Sequence, residues 1–339
     1  MDEKIQNTKY NTKSIVEAAL ISVIISVIMI ITGYLPIVSF IGTLILPIPV
    51  AILYIRNNIK ITCTAILLSI ILTSLVYNPI MAIYSAITYS VIGIVLGYCV
   101  KKNKKSSITL LFLAIGSAIT NILTVAFSML FIEKVGFMNF ISKNLEFMKQ
   151  TMEASLGQVK TLYSQAGISP EQLKLLDENL ELIKNIDVML VLALIPVSIF
   201  ILSFISAYLN YIVSRVILKK LNYSMEPVLP FSRVYLSNIV GAVLIGTVCI
   251  GIILSTKKIP GGDYLLNSSQ ILAQLIFTIN GVAATTYFLR VKRELSKPVV
   301  ALIIGLTMIS SLGSIYFSIG LMEMAFDFRR LDPYRIKRK

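Results

Sequence analysis

Apolar runs of about 20 residues, the length a helix needs to cross a hydrocarbon core of roughly 30 Å, recur from residue 14 to residue 321 of this chain. Inside lipid every backbone amide and carbonyl must find its partner within the segment, so such runs become helices. The fold class that follows is all-α, a polytopic transmembrane helix bundle. Nine segments qualify: 14–33, 36–55, 60–77, 79–100, 107–132, 187–214, 234–255, 268–289 and 298–321. The first is expected to remain in the mature protein, because its apolar stretch is longer than that of a signal peptide and no small-residue cleavage site follows it.

Basic residues set the orientation. Lys4, Lys9 and Lys13 precede the first segment, Arg56 and Lys60 follow the second, and Lys101, Lys102, Lys104 and Lys105 follow the fourth. Short loops rich in Lys and Arg stay cytoplasmic. The alternation continues through Arg215, Lys219, Lys220 and Arg233 and then Arg290, Lys292, Arg293 and Lys297, while the loops at 33–36 and 77–79 carry no positive charge. The layout predicted for the cell membrane is a cytoplasmic N-terminus (1–13), five spans (14–132), an external helical hairpin (133–186), a sixth span (187–220), additional spans (221–322) and a basic tail (323–339). Nine crossings would leave Arg329, Arg330, Arg335, Lys337, Arg338 and Lys339 outside, against the rule. Either one segment does not cross, giving eight spans, or the tail is an exception.

The external stretch reads as two helices. Phe137, Ile141, Leu145, Met148, Met152, Val159 and Tyr163 recur mostly at helical spacing. Gly167 then suits a C-cap, and Ser169, Pro170 and Gln172 suit the start of a second helix, which carries Leu173, Leu176, Leu180 and Ile183 on one face.

The composition excludes several function classes. The net charge of +14 lies in loops and at the C-terminus, which suits topology and contact with anionic lipids, not nucleic acid. There is no histidine, which removes imidazole acid–base chemistry and most zinc sites. Cys63, Cys99 and Cys249 show no CxxC spacing, and neither a phosphate-binding glycine loop nor a GxSxG or HExxH motif occurs. The expectation is no enzyme, no metal and no cofactor. There is no tryptophan either, so an interfacial belt falls to tyrosines such as Tyr34, Tyr54, Tyr77, Tyr98 and Tyr264.

Within the spans the polar groups are neutral: Asn121, Asn210, Asn238, Gln270, Gln274 and Asn280. An amide in hydrocarbon needs a partner, so these are expected to face the bundle interior, mostly as helix-to-helix bonds. Glu17, Asp187, Glu323 and Asp327 fall at segment ends. Small residues form stripes suited to close helix packing: Ala18, Ser22 and Ser26; Ala82, Ala86, Ser90, Gly93 and Gly97; and Ser310, Ser314 and Ser318. The second segment holds Pro36, Pro47 and Pro49. Pro36 suits the start of a helix, but Pro47 and Pro49 free the carbonyls of Thr43 and Ile45. That leaves either a kinked span packed in the bundle or the wall of a pocket.

The run "EAALISVIISVIMIITGYLPIVSFIGTLILPIPVAILYIRNNIK", the later "YNPIMAIYSAITYSVIGIVLGYCVKK" and the closing "LIIGLTMISSLGSIYFSIGLMEMAFDFRR" resemble the YybS-like family of bacterial membrane proteins. That family in turn resembles the substrate-binding components of energy-coupling-factor (ECF) vitamin transporters. The second resemblance implies outward-facing capture of a small solute, docking of an ECF coupling subunit on the Ala18–Ser22–Ser26 stripe with ATPase subunits driving that partner, and a pocket near Ser39, Tyr77, Asn78, Tyr84, Asn121 and Thr124. These uncharged groups suit a largely uncharged solute. The leading expectation is therefore transport-related solute binding. The alternative is a non-transporting scaffold or regulator acting through its external hairpin and basic tail.

Overall fold

The computed structural model describes residues 12–165, 185–309 and 313–332, with side chains left undescribed at 36–38 and 163–165 and at 309. The second hairpin helix, Ser310 and the end of the tail lie outside the described residues. Among those described there are twelve α-helices and no strand. They are α1 (Thr12–Tyr34), α2 (Pro36–Ile45), α3 (Pro47–Arg56), α4 (Ile59–Ser74), α5 (Pro79–Lys101), α6 (Ser106–Phe127, extended by a π-helical turn Ser128–Glu133), α7 (Phe137–Gln165), α8 (Val188–Lys220), α9 (Asn238–Thr256), α10 (Gly262–Tyr287, extended by a π-helical turn Phe288–Lys292), α11 (Lys297–Ile309) and α12 (Gly313–Phe326).

Among the described residues seven helical stretches are long and apolar enough to cross a membrane, and α4 is a shorter apolar helix of about 24 Å at 1.5 Å per residue. The ninth expected segment is not a straight span. It is the pair α11 and α12, inclined at 110° to each other. α12 reaches Phe326 and a turn follows it, so the expected tail boundary at 323 falls inside a helix.

The chain divides into two compact units: Met1–Phe137 with Ile199–Val228, and Met138–Ser198 with Leu229–Lys339. In the first unit the proline-rich segment is a helix interrupted only at Leu46, whose backbone stays helical and whose N–H still reaches Gly42 O at 2.9 Å. Pro47 and Pro49 begin α3, the helical positions where a missing N–H costs least, and Leu46, Ile48, Val50, Ala51 and Leu53 are all buried. Of the two readings it is the span packed in its bundle. Its neighbour is the glycine pair of α5: a Cβ on Gly93 would lie 2.7 Å from Pro47 O, and one on Gly97 would lie 2.9 Å from Ala51 O. The small-residue stripe of α5 is thus filled from within the chain.

The stripe of α1 is filled in the same way. Ser22 Oγ donates to Ala18 O (2.7 Å) and Ala65 O (3.0 Å), and Ser26 Oγ donates to Ser22 O (2.8 Å) and Ser69 O (3.1 Å), which ties α1 to α4. Ser69 Oγ in turn shares a 2.8 Å bond with Tyr89 OH of α5. The ends of this unit are held by Arg56, which pairs with Glu17 at 2.8 Å and donates to Tyr223 OH at 3.2 Å.

In the second unit α10 is the central helix, packed against α9 and α12. A Cβ on Gly281 would collide with the backbone carbonyl of Tyr316, and one on Gly320 with that of Phe277, so only glycine permits the approach of α10 and α12. The face of α12 that is covered is therefore Tyr316, Gly320 and Glu323. Ser314 and Ser318 of the expected serine stripe are exposed, because backbone contact at glycine brings two helices closer than contact at serine. Among the described side chains of the expected α7 stripe, Ile141 and Leu145 are buried, whereas Phe137, Met148 and Met152 are exposed.

Candidate functional site

The six residues placed in an expected pocket are each engaged locally in the first unit. Ser39 is half-buried in α2. The Tyr77 ring covers Gly33 and meets Tyr34 edge-on at 5.4 Å. Asn78 caps α5, its side-chain oxygen accepting from Ile80 N (2.9 Å) and Met81 N (3.4 Å). The Tyr84 ring lies 6.2 Å from that of Phe127. Asn121 Nδ2 donates to Ser203 Oγ of α8 at 3.2 Å, and Thr124 Oγ1 donates back to Thr120 O and Asn121 O. Such bonds hold helices together. Ala18, Ser22 and Ser26, implied as a docking face, are 7%, 0% and 4% exposed beneath α4. A coupling subunit would find no open surface there.

Open space lies in the second unit. A cavity of about 690 Å³ is lined by Val248 and Cys249 of α9, by Gln270, Gln274, Phe277 and Thr278 of α10, and by Ser314 and Phe317 of α12, among others. Its size falls within the range of roughly 300–1,000 Å³ typical of small-molecule sites. None of the six expected residues lines it. The helical register explains the wall: Gln270, Gln274, Phe277 and Thr278 recur at steps of three or four, which puts them on one face of α10. Gln270 and Gln274 are exposed and line this open space, where burial in helix contacts was expected. That spacing was the signal available in the sequence.

One turn beyond Phe277 on the same helix, Asn280 begins a buried polar clamp. Arg329 Nε donates to Glu323 Oε1 at 2.7 Å, Nη2 to Asn280 Oδ1 at 3.0 Å, and Nη1 to the carbonyls of Ser232 (3.1 Å) and Val234 (2.8 Å). Asn280 Nδ2 completes the ring by donating to Gly320 O at 2.9 Å. The side chains of Arg329 and Glu323 are 0% and 3% exposed. Asp327 shapes the turn that delivers Arg329, accepting from Leu331 N at 2.9 Å and Asp332 N at 3.1 Å. Arg329 is thus a buried ion-pair partner, not a residue of a solvated basic tail. Removing one member of such a pair strands a buried charge, which costs about 3–5 kcal/mol.

A family model described as "Predicted membrane protein (DUF2232)" matches residues 23–324. The chain belongs to this family of predicted membrane proteins. It is also 22% identical over 330 residues to the protein named "Uncharacterized protein YybS" of Bacillus subtilis (strain 168), an alignment covering 94% of this chain and 98% of that one. No solved structure matches. The YybS-like resemblance is therefore shown, and the further resemblance to ECF substrate-binding components is not. The family match includes Gln270, Gln274, Asn280 and Glu323, and stops before Arg329.

Proposed function

We propose that this multi-pass membrane protein binds a small, largely uncharged solute in the cavity of its second unit, as a transport-related binding protein. The observation that carries the reading is the cavity itself. It offers apolar walls from Val248, Phe277 and Phe317, with amide and hydroxyl groups from Gln270, Gln274, Thr278 and Ser314, the mixture that orients an uncharged ligand inside an apolar site. Coupling through the α1 stripe is not part of the proposal, since α4 covers it.

The reading carries a topology in the cell membrane. The N-terminus is cytoplasmic, α1, α2–α3, α4, α5, α6, α8, α9 and α10 make eight crossings, and α11–α12 enters and returns on the cytoplasmic face. Support comes from the basic loops and from the bonds of Arg329 to Ser232 and Val234, which tie the end of α12 to the loop that bears Arg233. This arrangement removes the conflict over the basic tail.

Mass spectrometry of protein purified in mild detergent tests the binding claim. A retained uncharged molecule that is lost in Gln274→Phe, which fills the cavity from an exposed position, supports it; equal retention by both proteins contradicts it.

A second reading, a scaffold or regulator, draws on α7, which exposes Phe137, Met138, Phe147, Met148, Met152 and Leu162. A stable partner protein captured by the intact membrane protein, and lost in Phe147→Asp while Gln274→Phe leaves capture unchanged, would favour it.

A further inference from the structure

The connection between α10 and α11 sets the cations Arg290, Lys292, Arg293 and Lys297 against a single carboxylate, Glu294. A tight reversal holds them together. After the π-helical turn Phe288–Lys292, Arg293 N–H returns to Phe288 O and Leu295 N–H to Leu289 O, each at 3.1 Å, and Glu294 between them is left-handed at φ 55°. Backbone donors thus take these closing carbonyls, and no basic side chain is drawn in to cap them. Lys292 folds back over the same turn, its Nζ 5.3 Å from the centre of the Phe288 ring.

Arg290 is half-buried, and its Nε is buried with no hydrogen-bond partner. The other arginines that lie against the protein have acceptors: Arg56 donates to Glu17 and Tyr223, Arg215 to Met225 O, and Arg329 to Glu323. Arg293 and Lys297 are exposed, and among the described residues neither they nor Arg290 has an ion pair or a side-chain hydrogen bond. A buried charged donor without an acceptor is costly. From this turn α11 departs with Val299, Leu302 and Leu306 exposed, at steps of three and four along one helix face.

We propose that the α10–α11 turn binds one anionic phospholipid, its phosphate held by Arg290, Arg293 and Lys297 and an acyl chain laid along Val299, Leu302 and Leu306.

A phosphate supplies both what Arg290 lacks, an acceptor, and what the turn lacks, negative charge. A zwitterionic lipid brings its own ammonium group and leaves the cations uncompensated. A free phosphate would meet the charge and leave the adjoining apolar face bare, and that continuity from cations to apolar face selects a lipid. The site is separate from the solute cavity and does not depend on what that cavity binds.

Native mass spectrometry and thermal unfolding of the full-length protein in mild detergent, with added dioleoyl phosphatidylglycerol, dioleoyl phosphatidylcholine or inorganic phosphate, test the proposal. The expected result is one phosphatidylglycerol retained per protein under conditions that strip phosphatidylcholine, with a rise of several degrees in unfolding temperature that inorganic phosphate does not reproduce. Arg290→Gln removes no protein hydrogen bond and should lower retention at least fivefold, and Arg293→Gln at the exposed edge should do so at least twofold. Lys102→Gln with Lys104→Gln, which removes charge from a basic loop of the first unit, should leave retention unchanged. Equal retention of the two lipids would overturn the proposal. So would equal losses from the first-unit pair and from Arg290→Gln, which would mean nonspecific attraction by net charge. Stabilisation by inorganic phosphate matching that by phosphatidylglycerol would assign the turn to a free anion and overturn the lipid.

Discussion

The two units handle polarity in opposite ways. In the first, the polar contacts between helices are neutral apart from those of Arg56 with Glu17 and of Lys101 with Tyr54 O, partly exposed at their ends: Ser22 and Ser26 bond to carbonyls of α4, Ser69 to Tyr89, and Asn121 to Ser203, while Asn210 Oδ1 and Ser214 Oγ are uncharged atoms buried without a hydrogen-bond partner. Gly93 and Gly97 of α5 are filled by the second span. In the second unit a guanidinium and a carboxylate are buried together, a carboxylate oxygen is left over, and a cavity separates helices that elsewhere touch at glycine. Neutral bonds between helices contribute only about 0.6 kcal/mol each on average. Buried charge in a membrane protein is costly and marks function by default. The contrast is what supports the proposal that the first unit serves as a framework and that the second holds the binding site.

The largest effect that would break this contrast is at the clamp. Arg329→Met should destabilise the second unit by about 3–5 kcal/mol by stranding Glu323. Pairing it with Glu323→Leu should restore much of the loss, and thermal unfolding of the single and double variants measures this. Next comes Gly320→Leu, which forces α12 off the backbone of α10. Its cost should reach several kcal/mol, at the upper end of overpacking effects, and cross-linking between engineered cysteines on α10 and α12 reports the separation. In the first unit Asn78→Ala should cost about 1 kcal/mol through loss of the α5 cap, with no change in solute retention. Smallest of all, Ser26→Ala should cost about 0.6 kcal/mol and leave association with any partner unchanged, because that face is already covered. A large change in partner binding from Ser26→Ala would reverse the roles of the two units.

Much of the framework was legible in the chain. Apolar runs located the helices to within a few residues, Pro36 marked a helix start, and the Gly93–Gly97 pair announced a close contact. The location of the site was less accessible. Glu323 and Arg329 are six residues apart, and the carbonyls that complete the clamp come from Ser232 and Val234, roughly 95 positions earlier. Spacing along one helix does not encode such a meeting. Arg329 also sits among basic residues whose ordinary meaning is topology, which masked it. Two signals did exist: Asn280 is an amide deep in a span, and Gln270 and Gln274 share a helix face with Phe277. Assigning the pocket to Ser39, Tyr77, Asn78, Tyr84, Asn121 and Thr124 rested on a resemblance. Those residues are polar at helix ends and contacts because the framework needs caps and inter-helix bonds there.

The cysteines offer the most direct test, since they sample both units. Cys249 lines the cavity, Cys63 is an exposed thiol of the first unit, and Cys99 is buried. Labelling with N-ethylmaleimide, followed by intact mass and peptide mapping, gives the rate at each thiol before and after adding the neutral small-molecule fraction extracted from the source membranes. The account predicts that the fraction slows Cys249 at least tenfold, leaves Cys63 unchanged and leaves Cys99 unlabelled, and that Gln274→Phe slows Cys249 without any addition. Equal rates at Cys249 with and without the fraction, together with slowing at Cys63, would contradict it and return the binding site to the first unit.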